Sequence, residues 1–92
     1  MNCKKISFSG HATKQMFERS ITESEVISVI EAGTIIKEYP DDKPYPSYLI
    51  LGIVKKRVLH VVLSKDKNAN CYVITAYEPD SKIWNIDFKT KK

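Results

Sequence analysis

Ile21-Thr22-Glu23-Ser24-Glu25-Val26-Ile27-Ser28-Val29-Ile30-Glu31-Ala32-Gly33-Thr34-Ile35-Ile36-Lys37-Glu38-Tyr39 changes hydrophobic period part-way along, and that change sets the fold class. Thr22-Glu23-Ser24-Glu25 is a capping box: the threonine hydroxyl accepts from the third helical amide while the glutamate reaches back to the N-cap amide. Ile21, just before it, is placed to staple onto Val26. Val26, Ile27, Val29 and Ile30 then recur at helical spacing and form one apolar stripe. Gly33 stands where a left-handed residue closes a helix. From Thr34 to Tyr39 the pattern becomes that of a strand, stopped by a loop containing Pro40, Pro44 and Pro46.

Upstream, Ile6 and Phe8 alternate with polar neighbours as a short opening strand would. Ser9 can cap a helix over about Gly10 to Arg19 with Ala12, Met16 and Phe17 facing inward, joined to the second helix through Ser20 to Thr22 as an αα-hairpin. Downstream, Tyr48 to Val54 is apolar on both faces, as in a central strand. Lys55-Lys56 turns the chain into Arg57 to Ser64, Asp66 to Asn70 supplies a second turn, and Cys71 to Glu78 is a strand stopped by Pro79. Trp84, Ile86 and Phe88 are expected to fold back onto the sheet. Short connections between successive strands imply an antiparallel meander. The expectation is α+β: two helices packed on one face of a four- or five-stranded antiparallel sheet.

Ninety-two residues suit one domain, residues 1–92, with a basic tail at 89–92. A hydrophobic share of 42% with 28% charged residues is that of a folding chain and excludes wholesale disorder. The longest apolar stretch, Tyr48 to Val54, is far too short for a bilayer helix, and the N-terminus has no signal-peptide core, so a cytoplasmic protein away from membranes is expected. The net charge of +4 gathers at Lys4-Lys5, Lys55-Lys56-Arg57 and Lys89-Lys91-Lys92, which suits an anionic partner such as RNA or simply solvates a tail and a turn. Cys3 and Cys71 lack CxxC partners and read as free thiols of a reducing compartment.

No ligand spacing for a metal, no phosphate-cradling glycine loop and no Gly-x-Ser-x-Gly elbow occurs, so classical NTPase, dehydrogenase and serine-hydrolase readings are excluded and no cofactor is expected. His11 lies in the first helical turn, where the helix dipole favours a neutral imidazole. His11, Gln15 and Arg19 form a ridge on the border of the buried stripe. Ordinary polar residues occupy such borders too, and from the residues alone that account is favoured. His60 shares a strand face with Val58 and Val62, an apolar setting in which a histidine is usually hydrogen-bonded and structural. Tyr77 closes the last strand just before Glu78-Pro79, where its hydroxyl can reach a groove, although tyrosine is also a good strand former.

His11-Ala12-x-x-Gln15-Met16-x-x-Arg19-x-Ile21-Thr22, Ile36-x-Glu38-Tyr39-Pro40-x-Asp42-x-Pro44-x-Pro46-Ser47-x-Leu49-x-Leu51-Gly52, Leu59-His60-Val61-Val62 and Ile74-Thr75-x-Tyr77-x-Pro79-Asp80 follow one another in the order of a known family. Over about residues 10–88 the chain resembles the domain-of-unknown-function 4258 family. The resemblance implies kinship with RelE-like and MqsR-like toxins of bacterial toxin–antitoxin systems, and a small antitoxin partner carrying a zinc-binding segment, sometimes with a helix-turn-helix. Members commonly carry arginine where this chain has Gln15, and glycines after the position of Val54, where this chain has Lys55-Lys56.

Metal-free RNA cleavage uses the substrate's own 2′-hydroxyl as nucleophile, so a protein need supply only a base, an acid and a cation. His11 or His60 is the candidate base, the other histidine or Tyr77 the acid, and Arg19 the charge stabiliser. Lys14, Lys55, Lys56, Arg57 and the tail lysines are candidate RNA contacts. The leading expectation is a toxin-like, metal-independent endoribonuclease acting on mRNA, free or on the ribosome. Its rival is a non-catalytic binding module for a protein or RNA. A DNA-binding antitoxin or repressor is disfavoured, because the αα-hairpin is mostly committed to the sheet.

Overall fold

A computed structural model describes residues 1–92 as two helices packed on one five-stranded sheet. The elements are β1 (Lys5–Phe8), α1 (Gly10–Glu18), α2 (Glu23–Ala32), β2 (Thr34–Tyr39), β3 (Ser47–Val54), β4 (Arg57–Lys65) and β5 (Asn70–Tyr77). Strand order is β1-β5-β4-β3-β2, so β2 to β5 form the expected antiparallel meander.

Both helix starts are capped as expected. Ser9 accepts from the Ala12 amide at 3.0 Å. Thr22 Oγ1 accepts from Glu25 N at 3.1 Å while Glu25 Oε1 accepts from Thr22 N at 2.9 Å, completing the capping box. Ala12 and Met16 of α1 and Val26, Val29 and Ile30 of α2 meet Ile50, Leu59, Val61, Leu63, Val73 and Ala76 on the helix-facing side of the sheet. Phe17 departs from the expected inward stripe and is 86% exposed, since Met16 and Ala12 already fill the contact with β5.

Three local expectations are corrected. Gly33 is extended (φ −79°, ψ 179°), not left-handed. Glycine is needed there for closeness, because a Cβ would meet Val29 O and lie 2.6 Å from Leu51 O. The sheet is mixed rather than wholly antiparallel, since β1 pairs parallel with β5, Ile6 opposite Cys71. The chain enters along the same edge on which it later finishes, and no local signal specifies which edge β1 takes. That pairing overturns the reading of the cysteines as free thiols: Cys3 and Cys71 are a disulfide, with Cα atoms 5.7 Å apart across 68 residues of chain.

Two β-bulges decide which side chains reach the face opposite the helices. In β5, Leu63 pairs with Val73 and Val62 with Thr75, so Ile74 is an extra residue. Strand alternation would have given Tyr77 the helix-facing parity of Val73; the bulge moves it to the face of its partner His60. In β2, Ile35 pairs with Ile50 but Lys37 with Leu49, leaving Ile36 extra. The same one-residue shift sends Lys37 and Tyr39 to the open face.

Candidate functional site

A cleft of about 450 Å³ lies on that open face, its walls including Lys37, Tyr39, Leu49, Tyr77, Trp84 and Lys91, with Asp42 and Ser47 hydrogen-bonded to each other at one side. The chain beyond β5 closes part of the face. Trp84 is buried there, its ring 4.6 Å from that of His60 and nearly perpendicular to it.

His60 is wholly buried, and both of its ring nitrogens are engaged. Nε2 lies 2.8 Å from the carbonyl oxygen of Phe88. A carbonyl only accepts, so Nε2 carries the proton. Burial pushes the His60 pKa below its ordinary value of 6.5, with the Phe88 carbonyl opposing that shift, so the ring is neutral and Nδ1 holds a lone pair. The Tyr77 hydroxyl, 3.3 Å from Nδ1, is therefore the donor of that bond. The order is Tyr77 O–H to His60 Nδ1, and His60 Nε2–H to Phe88 O. Tyr77 lines the cleft with its proton engaged by His60, so any further partner of its oxygen meets an acceptor. Its pKa is raised, chiefly by burial and then by the neighbouring Tyr39, while Arg19 acts in the opposite sense.

Arg19 is held beside this pair from the end of α1, donating through Nη1 to Ala76 O at 2.9 Å and Thr75 Oγ1 at 3.1 Å. Gln15, one turn earlier, accepts from Thr75 Oγ1 at 2.6 Å. Of the four candidate catalytic residues, His60 and Tyr77 meet directly, and Arg19 is bonded to the β5 backbone next to Tyr77 without lining the cleft. His11 is apart from them: it is exposed in the first turn of α1, about 12 Å along the helix axis from Arg19.

The candidate RNA-contacting cations scatter. Lys14 is on the exposed side of α1, outside the cleft walls. Lys55 and Lys56 form the β3–β4 turn, both with positive φ (52° and 65°). Arg57 has another task. Its Nη1 donates to Ser20 O at 2.8 Å and its Nη2 to Arg19 O at 2.9 Å, satisfying carbonyls at the end of α1, while Nε pairs with Glu78 and Nη1 lies 3.5 Å from Glu25. Of the tail lysines, Lys91 reaches the cleft and lies 5.6 Å over the Trp84 ring. Sequence reasoning missed Lys37 and Tyr39 as cleft residues, because their parity depends on the Ile36 bulge. It also missed that Trp84 walls a cleft as well as packing on the sheet.

No group of three or more His, Cys, Asp or Glu side chains is placed to hold a metal ion. No helix is long and apolar enough to cross a membrane. The family described as Domain of unknown function (DUF4258) matches residues 8–78. The chain belongs to that family. The matched span takes in α1, Arg19, His60 and Tyr77 and ends at Glu78, before Trp84, Phe88 and Lys91. Comparison with curated proteins and with solved structures gives no significant match.

Proposed function

We propose that this DUF4258 domain is a metal-independent endoribonuclease of the toxin kind, and that the open-face cleft is where RNA binds. One observation carries the reading: Tyr77 lines a cleft that also bears Lys37 and Lys91, while its proton is directed onto the buried, neutral His60. In the proposed reaction a 2′-hydroxyl gives its proton to Tyr77 as the Tyr77 proton passes to His60 Nδ1. The 2′-oxygen then bonds to the adjacent phosphorus, and the bond from phosphorus to the 5′-oxygen breaks. The products are a 2′,3′-cyclic phosphate and a 5′-hydroxyl, whose proton comes from water. Lys37 and Lys91 offset the charge that develops on the phosphoryl oxygens, and Tyr39 offers a face on which a base can stack. From outside the cleft walls Arg19 works against the burial that raises the Tyr77 pKa, making its hydroxyl the readier proton donor to His60, and the Phe88 carbonyl supports the imidazolium.

The proposal includes a small antitoxin, with a zinc-binding segment, that occludes the cleft. It also places the chain in the cytoplasm with its mRNA substrate, where Cys3 and Cys71 stay bridged only if the bond resists the thiol pool. A second reading has its own support: complete burial and full pairing of His60 is what a purely structural histidine shows, as in a non-catalytic binding module.

Incubation of the purified protein with single-stranded RNA in excess chelator separates the two. Cleavage leaving 2′,3′-cyclic phosphate ends is expected, and Tyr77→Phe or His60→Gln should slow it by roughly 10²–10⁴-fold. RNA left intact by the parent, or cut equally well by Tyr77→Phe, removes the catalytic reading in favour of the binding module.

A further inference from the structure

Residues 80–92 form a small unit of their own beyond the family match. Ile83 and Trp84 amides donate to Asp80 O, Asn85 N donates to Thr90 O, Phe88 N to Asn85 O and Lys92 N to Ile83 O, while Trp84 and Lys91 bridge as an antiparallel pair. The Asp87 carboxylate accepts from the Lys89 and Thr90 amides. Against this internal network, one hydrogen bond joins the unit to the rest of the chain, from His60 Nε2 to Phe88 O at 2.8 Å. Trp84, packed edge-on to His60, is the unit's buried anchor, and Pro79 is the buried pivot before it.

We propose that residues 80–92 are a strap that closes over the cleft as a unit, with Phe88 and Trp84 as positioning residues for the Tyr77–His60 pair. The closed strap does three things at once. Its Phe88 carbonyl selects the Nε2–H form of His60, which aims the Tyr77 proton inward. Its Trp84 ring keeps water from the imidazole and walls the cleft. Its Lys91 adds a cation to the site from the same short unit. Lifting the strap undoes all three together, leaving His60 open to solvent and free to exchange tautomers. A polyanionic ligand touching Lys91 therefore favours the closed state, because the ligand has differential contacts with the two states. RNA binding and assembly of the proton path become one event. The ligand part of this inference rests on the RNA reading above; the positioning part does not.

The test uses the full chain and an uncleavable 2′-O-methyl oligonucleotide. Two-bond ¹H–¹⁵N correlations of the imidazole should show His60 as a single Nε2–H tautomer in the parent and in Trp84→Phe. Trp84→Ala should give a tautomer mixture while the sheet's circular dichroism is unchanged. Oligonucleotide binding should slow hydrogen exchange at the Trp84, Asn85 and Phe88 amides by about 10-fold or more, and Lys91→Ala should weaken binding without altering the tautomer. A single tautomer retained in Trp84→Ala overturns the positioning role. Exchange at those amides unmoved by a bound oligonucleotide overturns the closing strap. Failure of the oligonucleotide to bind sinks the RNA reading and with it ligand-driven closure, while the tautomer comparison still decides what Trp84 does for His60.

Discussion

Tyr77 and His60 face each other across the β4–β5 ladder because Ile74 is bulged out of it; their hydrogen bond, 3.3 Å long, exists only through that extra residue. The consequence is a buried neutral imidazole in a strand, and it makes stability depend on pH. His60 has a folded pKa below its ordinary 6.5, so the unfolded chain binds its proton first on acidification. The stability that His60 confers is whole above about pH 6.5 and is lost as pH falls toward its folded pKa. Urea unfolding at stepped pH should show the parent losing more stability below pH 6.5 than His60→Gln does. Equal slopes would mean that the ring is not held neutral in the fold. Glu25, Asp66 and Asp87, whose pKa values are also lowered by hydrogen bonds from backbone amides, contribute a later acid loss common to both proteins.

Arg57 should behave as a stability residue rather than an RNA contact. It satisfies the Arg19 and Ser20 carbonyls and neighbours the largely buried Glu25. Arg57→Ala is expected to cost about 2–3 kcal/mol in chemical denaturation, in keeping with charge-assisted hydrogen bonds. A loss under 0.5 kcal/mol would leave the α1 terminus held by something else.

The Lys55-Lys56 turn stores strain, since two non-glycine residues with positive φ are in the geometry that Asn-Gly adopts readily. Replacing the pair by Asn-Gly should stabilise the protein by about 1–2 kcal/mol. The same variant tests RNA contact: if these lysines lie outside the RNA path, the salt dependence of binding stays that of the parent. A log–log slope shallower by about 0.7 per lysine would place them on phosphates.

Opening the disulfide should weaken the fold more than any single side-chain contact does. The bridge ties residues 68 apart in sequence, and closing a loop of that length restrains the unfolded chain by about 4 kcal/mol. Denaturation with and without reductant, beside a Cys3→Ser variant, measures it. A reduced protein as stable as the oxidised one would show that β1 is held by its pairing with β5 alone.

The capping box at Thr22–Glu25, the helix that follows and the switch to strand after Gly33 were readable from the residues alone, because each rests on hydrogen bonds or periodicities within a few positions. His60 and Tyr77 also stood out in the chain, one as an ionisable group among valines and the other as the end of a strand. Their meeting was not readable. Tyr77 joins His60, and Lys37 and Tyr39 join the cleft, through single extra residues at Ile74 and Ile36. A bulge inverts side-chain parity while leaving the local pattern of apolar residues still strand-like. Long-range choices were closed to the sequence in the same way. Arg57 reads as one cation of three until the end of α1 arrives beside it. Cys3 and Cys71 read as unrelated thiols until β1 selects the free edge of β5, and Trp84 reads as a packing residue until the last turn of chain crosses the open face. Those outcomes depend on which edge and which face are vacant once the meander has formed, and only the assembled sheet decides that.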